Sequence, residues 1–172
     1  MPMSLPQIVV IQGANLAALG TREPHLYGQQ TLQEIHNGLQ QQFHQQCALQ
    51  FVCSNHEGVL LDNIHSTSNK AQGFVINPGA YTHTSYALAD ALADTGLPCI
   101  EVHLTNVARR EAFRRHSCIA PVCLGTICGL GTLGYALAIQ ALLHHLQQCA
   151  NPPTEKQFGT SLGQEQNAGT AI

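Results

Sequence analysis

The sequence predicts an α/β fold, a parallel sheet with helices on both faces. Short apolar, β-branched runs alternate with helix-like stretches five times along the chain, the pattern of a sheet covered on both sides. The 172 residues, 44% of them hydrophobic, suit one domain with a full core. Four successive strand-like runs also end in polar residues. In a parallel sheet those ends share one edge, where such folds bind ligands.

Gln7–Gln12 (QIVVIQ) reads as the first strand. It ends in Gly13-Ala14-Asn15-Leu16 and enters a polar loop holding Arg22, Glu23, Pro24 and Tyr27, which Gly20 and Gly28 bracket as hinges. Thr31-Leu32-Gln33-Glu34 is a capping box, and Leu32, Ile35, Leu39 and Phe43 follow at helical spacing, predicting a helix over 31–46. Ala48–Cys53 is the second strand and ends in Ser54-Asn55-His56-Glu57-Gly58; Val59, Leu60, Leu61 and Ile64 then suit a helix to residue 68. Residues 73–76 form the third strand and run into Asn77-Pro78-Gly79-Ala80-Tyr81-Thr82-His83-Thr84. Pro78 fixes its own φ and biases Asn77 towards extended geometry, while Gly79 permits a shape other residues resist. Taken alone, this is an ordinary strand-to-helix turn.

A helix rich in alanine and leucine follows over 84–95, closed by Gly96 and Pro98. Residues 99–104 are the fourth strand, 106–116 carry an arginine cluster, and 119–124 are the fifth strand. A glycine-rich turn then leads to a strongly apolar helix over 133–148. Residues 1–150 therefore read as a single domain. From Asn151-Pro152-Pro153 onward the chain is Gly, Thr, Gln and Asn with little to bury, so 151–172 is expected to be a disordered tail.

The net charge of −3 leaves no electrostatic footprint for nucleic acid or an anionic membrane. Arg109, Arg110, Arg114 and Arg115 are four of the seven lysines and arginines. No apolar run reaches the roughly 20 residues that span a bilayer, and the N-terminus lacks signal-peptide regions. Seven cysteines without a CxxC pair, mostly in apolar runs, read as small hydrophobes of a reducing cytoplasm and not as disulfides or a zinc cage.

Gly129-Leu130-Gly131-Thr132-Leu133-Gly134 matches GxGxxG, yet it follows the last strand and lacks an acidic partner about 20 residues on. Close helix–sheet packing explains these glycines better than a dinucleotide. His56-Glu57 lacks the second histidine of HExxH, and the ten histidines show no other metal spacing. Only Lys70 and Lys156 exist, in a polar loop and in the tail, so a desolvated Schiff-base lysine has no address. Any chemistry at a carbonyl is then non-covalent acid–base work.

Glu101, His103 and Thr105 alternate along the fourth strand and share a face, with Arg110 and Arg114 one helical turn apart just beyond. A glutamate beside a histidine holds its tautomer and favours a proton donor. A satisfied structural ion pair fits the spacing equally well. In the loop, Tyr27 serves as a base only if its pKa of ~10 falls by about three units, or about 4 kcal/mol. One cation at ~4 Å in an effective dielectric of ~20 supplies about that much, so Arg22 suffices once water is excluded. Singly, a loop arginine and tyrosine are surface residues.

With these residues assembled, the chain resembles the type II 3-dehydroquinate dehydratases. Four collinear blocks carry the likeness: Gly13-Ala14-Asn15-Leu16 with Gly20-Thr21-Arg22-Glu23-Pro24 and Tyr27-Gly28; Ser54-Asn55-His56-Glu57-Gly58; Asn77-Pro78-Gly79-Ala80-Tyr81-Thr82-His83-Thr84-Ser85; and Glu101-Val102-His103-Leu104-Thr105-Asn106 with Arg110-Glu111 and Phe113-Arg114. They cover about residues 7–146, without the tail. The resemblance implies a flavodoxin-like fold of five parallel strands in a cytoplasmic homo-oligomer, a dodecamer built from trimers. It implies anti elimination of water from 3-dehydroquinate through an enolate, giving 3-dehydroshikimate in the shikimate or quinate pathway, without metal or cofactor. Nucleic acid and membrane are not among its partners.

By matching position, the resemblance implies that Tyr27 removes the proton α to the ketone and that Arg22 favours its phenolate. Asn15 helps hold a water against the enolate oxygen. His103 protonates the departing hydroxyl, oriented by Glu101. Asn77 and the backbone N–H groups of Leu104 and Thr105 hold the substrate carboxylate, His83 and Arg114 hold its hydroxyls, and Asp90 reaches in from a neighbouring subunit. The departures are Ala14 for the usual proline, a small apolar Ala17, Cys53 where glutamine is frequent, and Ala108-Arg109 for a common His-Ala pair. They bear on loop rigidity and rate more than on reaction type. The rival reading is a non-catalytic flavodoxin-like module binding a nucleotide or flavin.

Overall fold

The computed structural model describes residues 5–21 and 28–151. Arg22, Tyr27 and the tail expected beyond residue 151 lie outside the described residues. Five strands, β1 (Gln7–Gln12), β2 (Ala48–Cys53), β3 (Gly73–Asn77), β4 (Cys99–His103) and β5 (Gly125–Cys128), form one parallel sheet in the order β2-β1-β3-β4-β5. This is the flavodoxin-like strand order. The four α-helices among the described residues are α1 (Leu32–Phe43), α2 (Glu57–Thr67), α3 (Tyr86–Thr95) and α4 (Leu133–Ala150).

The two-residue period of the strands divides the core. Ile8, Val10, Val75 and Val102 pack with Ile35, Leu39 and Phe43 of α1 and Tyr135, Ile139 and Leu142 of α4. Val9, Ile11, Phe74 and Ile76 pack on the opposite face with Leu60 and Ile64 of α2 and Leu88 and Leu92 of α3. Burial on both faces explains why these runs are continuously apolar.

Local chemistry sets the helix starts. Thr31 Oγ1 accepts from Glu34 N at 3.2 Å, while Thr31 N donates to Glu34 Oε2 at 2.8 Å, completing the capping box. The fourth-strand side of the chain departs further from expectation. The stretch Gly79–His83 is a 3-10 turn, so α3 begins only at Tyr86, with Ser85 Oγ accepting from Leu88 N at 2.9 Å. The helix expected over 84–95 is correspondingly shorter at its start.

The fifth strand is not at 119–124 as expected but at Gly125–Cys128. Pro121 explains the shift: it has no N–H for a sheet ladder, and Ala120–Val122 instead form a 3-10 turn around it. Ile119 is fully buried all the same, so its apolar character reports core packing and not a strand. Arg110 and Arg114 also do not share a helix. Two separate 3-10 turns, Val107–Arg109 and Ala112–Arg115, flank an extended Arg110 with φ −93° and ψ −171°.

The chain leaves β1 to add β2 on one side, then crosses back to place β3 on the other. The loops after β1 and β3 therefore diverge from adjacent strands, and a crevice opens between them. The two loops nonetheless touch at their base. Gly13 N donates to Asn77 O at 2.8 Å, and a Cβ on Gly13 would stand 2.2 Å from Pro78 O. Gly79, at φ +61°, lies equally close to the other loop, its would-be Cβ 2.6 Å from Ala14 O.

Gly13→Ala must separate these loops, and it is expected to lower stability in urea by about 2 kcal/mol. Gly38→Ala, on the open face of α1 with no atom within 4 Å of the new methyl, is expected to raise stability by about 0.5–1 kcal/mol. Equal unfolding midpoints for the two variants would contradict the packing described.

Candidate active site

A cleft opens over the carboxyl ends of β1, β3 and β4. Asn15, Asn77, His83, His103, Leu104, Thr105 and Arg114 line it, joined by Ala14, Gly79, Val107 and Arg110. Seven residues expected from the sequence thus meet around one opening. Asp90 is not among its lining residues: it lies exposed on α3.

Strand β2 does not contribute to the lining, although its polar end was expected on the same edge. It braces the cleft from behind. Asn55 Oδ1 accepts from Asn15 N at 2.7 Å, and Tyr81 donates its hydroxyl to Asn55 O at 2.7 Å. Asn15 itself is left-handed, with φ 69°, a geometry asparagine tolerates better than most residues. The Asn55 contact holds that turn.

Glu101 and His103 point to the same face of β4, as the period of two requires. His103 Nε2 donates to Glu101 Oε1 at 2.8 Å, which leaves Nδ1 for the cleft. The carboxylate is fully buried, behind the histidine and not in the cleft wall. Two further hydroxyls hold it. Thr82 donates to Oε1 through a very short hydrogen bond, and Ser117 Oγ lies 3.1 Å from Oε1 and 3.0 Å from Oε2. Ser117 is held in turn, accepting from Ile119 N at 3.1 Å and Ala120 N at 2.8 Å.

Burial is the largest single influence on Glu101 and pushes its pKa up. The hydrogen bonds from His103, Thr82 and Ser117, with the attraction of the His103 charge, together outweigh it and leave the carboxyl below its ordinary value. Glu101 is therefore an anion, suited to hold a protonated imidazole. Thr82 and Ser117 escaped the sequence reading because a serine 16 residues from Glu101 carries no spacing signal; only the loop after the arginines brings it there.

His83 Nδ1 donates to His116 O at 2.7 Å, leaving Nε2 as its free ring nitrogen. Arg114 stacks beside Phe113, its guanidinium carbon 5.0 Å from the ring centroid. Its Nε lies 3.0 Å from Glu111 Oε2, an ion pair without hydrogen-bond alignment, while Arg110 Nε is 3.8 Å from the same oxygen. The acidic partner is more than half exposed, so these pairs add little to stability.

The glycine-rich turn packs the last helix onto the sheet, as expected from its position. A Cβ on Gly134 would meet Val102 Cγ1 at 3.2 Å. Gly129 N and Gly131 N donate to the His103 and Leu104 carbonyls at 3.1 and 3.0 Å, tying the turn to the cleft. Burial raises the pKa of Tyr135 to about 12, so this core phenol is no base near neutrality. No cluster of three or more metal-binding side chains occurs among the described residues.

Because the folded-state pKa of Glu101 lies below its unfolded value of 4.5, its charged form contributes stability that is present above that value. The contribution is lost as pH falls through the lowered folded pKa. Glu101→Gln is expected to reduce stability at neutral pH and to flatten the decline between neutrality and strong acid, read as unfolding midpoints across that range. An undiminished acid decline in the variant would show that other groups carry it.

The comparisons with known proteins agree with this geometry. A family model described as "Dehydroquinase class II" matches residues 6–143. The chain is 49% identical over 146 residues to a "3-dehydroquinate dehydratase" of Acaryochloris marina, covering 84% of this chain and 98% of that protein. It is likewise 49% identical over 144 residues to "Catabolic 3-dehydroquinase 2" of Aspergillus flavus, covering 83% of this chain and 95% of that protein. The crystal structure of a type II dehydroquinase from Butyrivibrio crossotus superposes with a TM-score of 0.78 at 43% identity, over 80% of this chain and 97% of that one. With the parallel five-stranded sheet, the buried Glu101–His103 pair and this likeness along most of its length, the chain belongs to the class II dehydroquinase family.

Proposed function

We propose that this protein is a hydro-lyase that converts 3-dehydroquinate to 3-dehydroshikimate and water. The observation that carries the reading is the His103–Glu101 pair, opening its one free ring nitrogen on a cleft that also holds an amide, a second imidazole and an arginine. That set matches what the elimination demands: an acid for a departing hydroxide, and polar groups for a carboxylate and hydroxyls.

In this reaction Tyr27, as a phenolate that Arg22 favours, takes the proton α to the ketone, and the electron pair moves into an enolate. Asn15 helps hold a water against the enolate oxygen. Collapse of the enolate expels the β-hydroxyl on the opposite face as His103 protonates it from Nδ1, so that water leaves. Glu101, kept anionic by its three donors, stabilises the imidazolium before the transfer. Asn77 with the N–H groups of Leu104 and Thr105 takes the carboxylate, and His83 and Arg114 take hydroxyls. No cofactor enters these steps, and the packing role of Gly129–Gly134 leaves no support for a nucleotide module.

The single domain over 1–150 acts in the shikimate or quinate pathway, in the cytoplasm, as a homo-oligomer built from trimers into a dodecamer. The exposed position of Asp90 on α3 suits its reaching into a neighbouring subunit's cleft.

Purified protein mixed with 3-dehydroquinate is expected to generate the ultraviolet absorbance of a conjugated enone; silence from folded protein would overturn the proposal. Tyr27→Phe is expected to lower kcat by at least about a hundredfold while substrate binding, measured by calorimetry, persists. An unchanged kcat would remove Tyr27 from the reaction.

A further inference from the structure

Asn77 can serve a carboxylate only if its amide turns Nδ2, and not Oδ1, towards the cleft. Two contacts decide which edge faces which way. Gly79 N donates to Asn77 Oδ1 at 3.2 Å, and Asn77 Nδ2 donates to the Tyr135 hydroxyl at 2.9 Å. A flipped amide would set Nδ2 against the Gly79 N–H, donor against donor. The nitrogen carries two hydrogens, so the bond to Tyr135 leaves one for a ligand.

Tyr135 lies wholly inside the core on α4 and does not line the cleft. Its neighbours Ala136, Ile139 and Leu142 are apolar, and a phenylalanine ring would fill the same space. A phenolic oxygen there costs free energy unless it is hydrogen-bonded, so its placement against Asn77 calls for a reason. The parity of the strands supplies the layout. Gln12 and Asn77 stand side by side at the ends of β1 and β3, both on the face that α1 and α4 cover. Gln12 is fully buried; its Oε1 lies 2.6 Å from His36 Nε2, and its Nε2 makes no aligned hydrogen bond. His36 stacks on Phe51 with ring centroids 4.0 Å apart. The cleft floor is thus backed by a polar layer, with the phenol as the member that touches Asn77.

We infer that Tyr135 is a positioning residue for the reaction, its hydroxyl holding the Asn77 amide with a donor edge towards the substrate carboxylate. The inference rests on the reading of Asn77 as a carboxylate ligand given above. Burial pushes the phenol up to about 12 despite the hydrogen bond from Asn77, so it stays neutral at working pH and acts as a fixed dipole.

Tyr135→Phe removes one atom and keeps the ring. It is expected to raise KM for 3-dehydroquinate about tenfold, the ratio one hydrogen bond's worth of positioning corresponds to, with kcat changed less than about threefold. Asn77→Ala raises KM at least as far, and the double variant is expected to match Asn77→Ala alone, because a hydroxyl that works only through the amide has nothing further to lose. Multiplying KM effects in the double variant, or a fall in kcat at unchanged KM, would overturn the inference. So would a Tyr135→Phe protein that fails to fold, since the hydroxyl would then hold the core and not the amide. Absence of turnover in the unmodified protein is a separate outcome and strikes the proposed function itself.

Discussion

The constraint on which the site depends is the contact between the loops after β1 and β3. The sheet order forces these loops to part, and the Gly13 N–H to Asn77 carbonyl bond holds them together at their base. No side chain fits between them: the backbone of residues 78 and 14 occupies the space that a methyl at Gly13 or Gly79 would need. Asn15 and Asn77, on the two sides of this junction, therefore keep a separation set by main-chain contact and not by flexible side chains. Pre-set distances of this kind lower the barrier of a reaction that must align a proton, an enolate oxygen and a leaving group.

Behind that junction the sheet sorts its polar residues by strand parity. Glu101 and His103 fall on the face shared with Thr82 and Ser117, and form a hydrogen-bonded dyad around a buried carboxylate. Asn77 and Gln12 fall on the opposite face, against Tyr135, and stay neutral. A buried carboxylate is costly unless every lone pair finds a donor, and here a histidine and two hydroxyls satisfy it. The same desolvation that would neutralise an isolated glutamate instead strengthens these bonds. The carboxylate–imidazole pair and the neutral amide layer thus approach one cleft from two sides of a single sheet.

Much of the fold was legible in the sequence because its local signals and its global pattern agree. The β1 and β2 limits, the Thr31–Glu34 capping box and the glycine closing α3 all follow from residue chemistry over a few positions. The misplaced fifth strand shows where that logic stops. Ile119 is apolar for the sake of the core, while Val122 and Leu124 are exposed and Pro121 denies the segment a ladder; Gly125 and Thr126 instead pair at an edge where little burial is required. Edge strands of this kind carry a weak sequence signal. The arginine segment misled in the same way, since its two 3-10 turns mimic helical spacing over one step only.

At the site, motif and alternation name the groups present and the order in which strand ends deliver them: Asn15, Asn77, His103 and their neighbours. Which partners fix those groups emerges from contacts between segments far apart in the chain. Asn55 clamps Asn15, Ser117 and Thr82 cradle Glu101, His116 sets the tautomer of His83, and Tyr135 turns Asn77. These partners are 16 to 58 residues away from the groups they hold. Short-range spacing reports which face a side chain occupies, whereas orientation is set by contacts that exist only once the sheet has brought distant loops together.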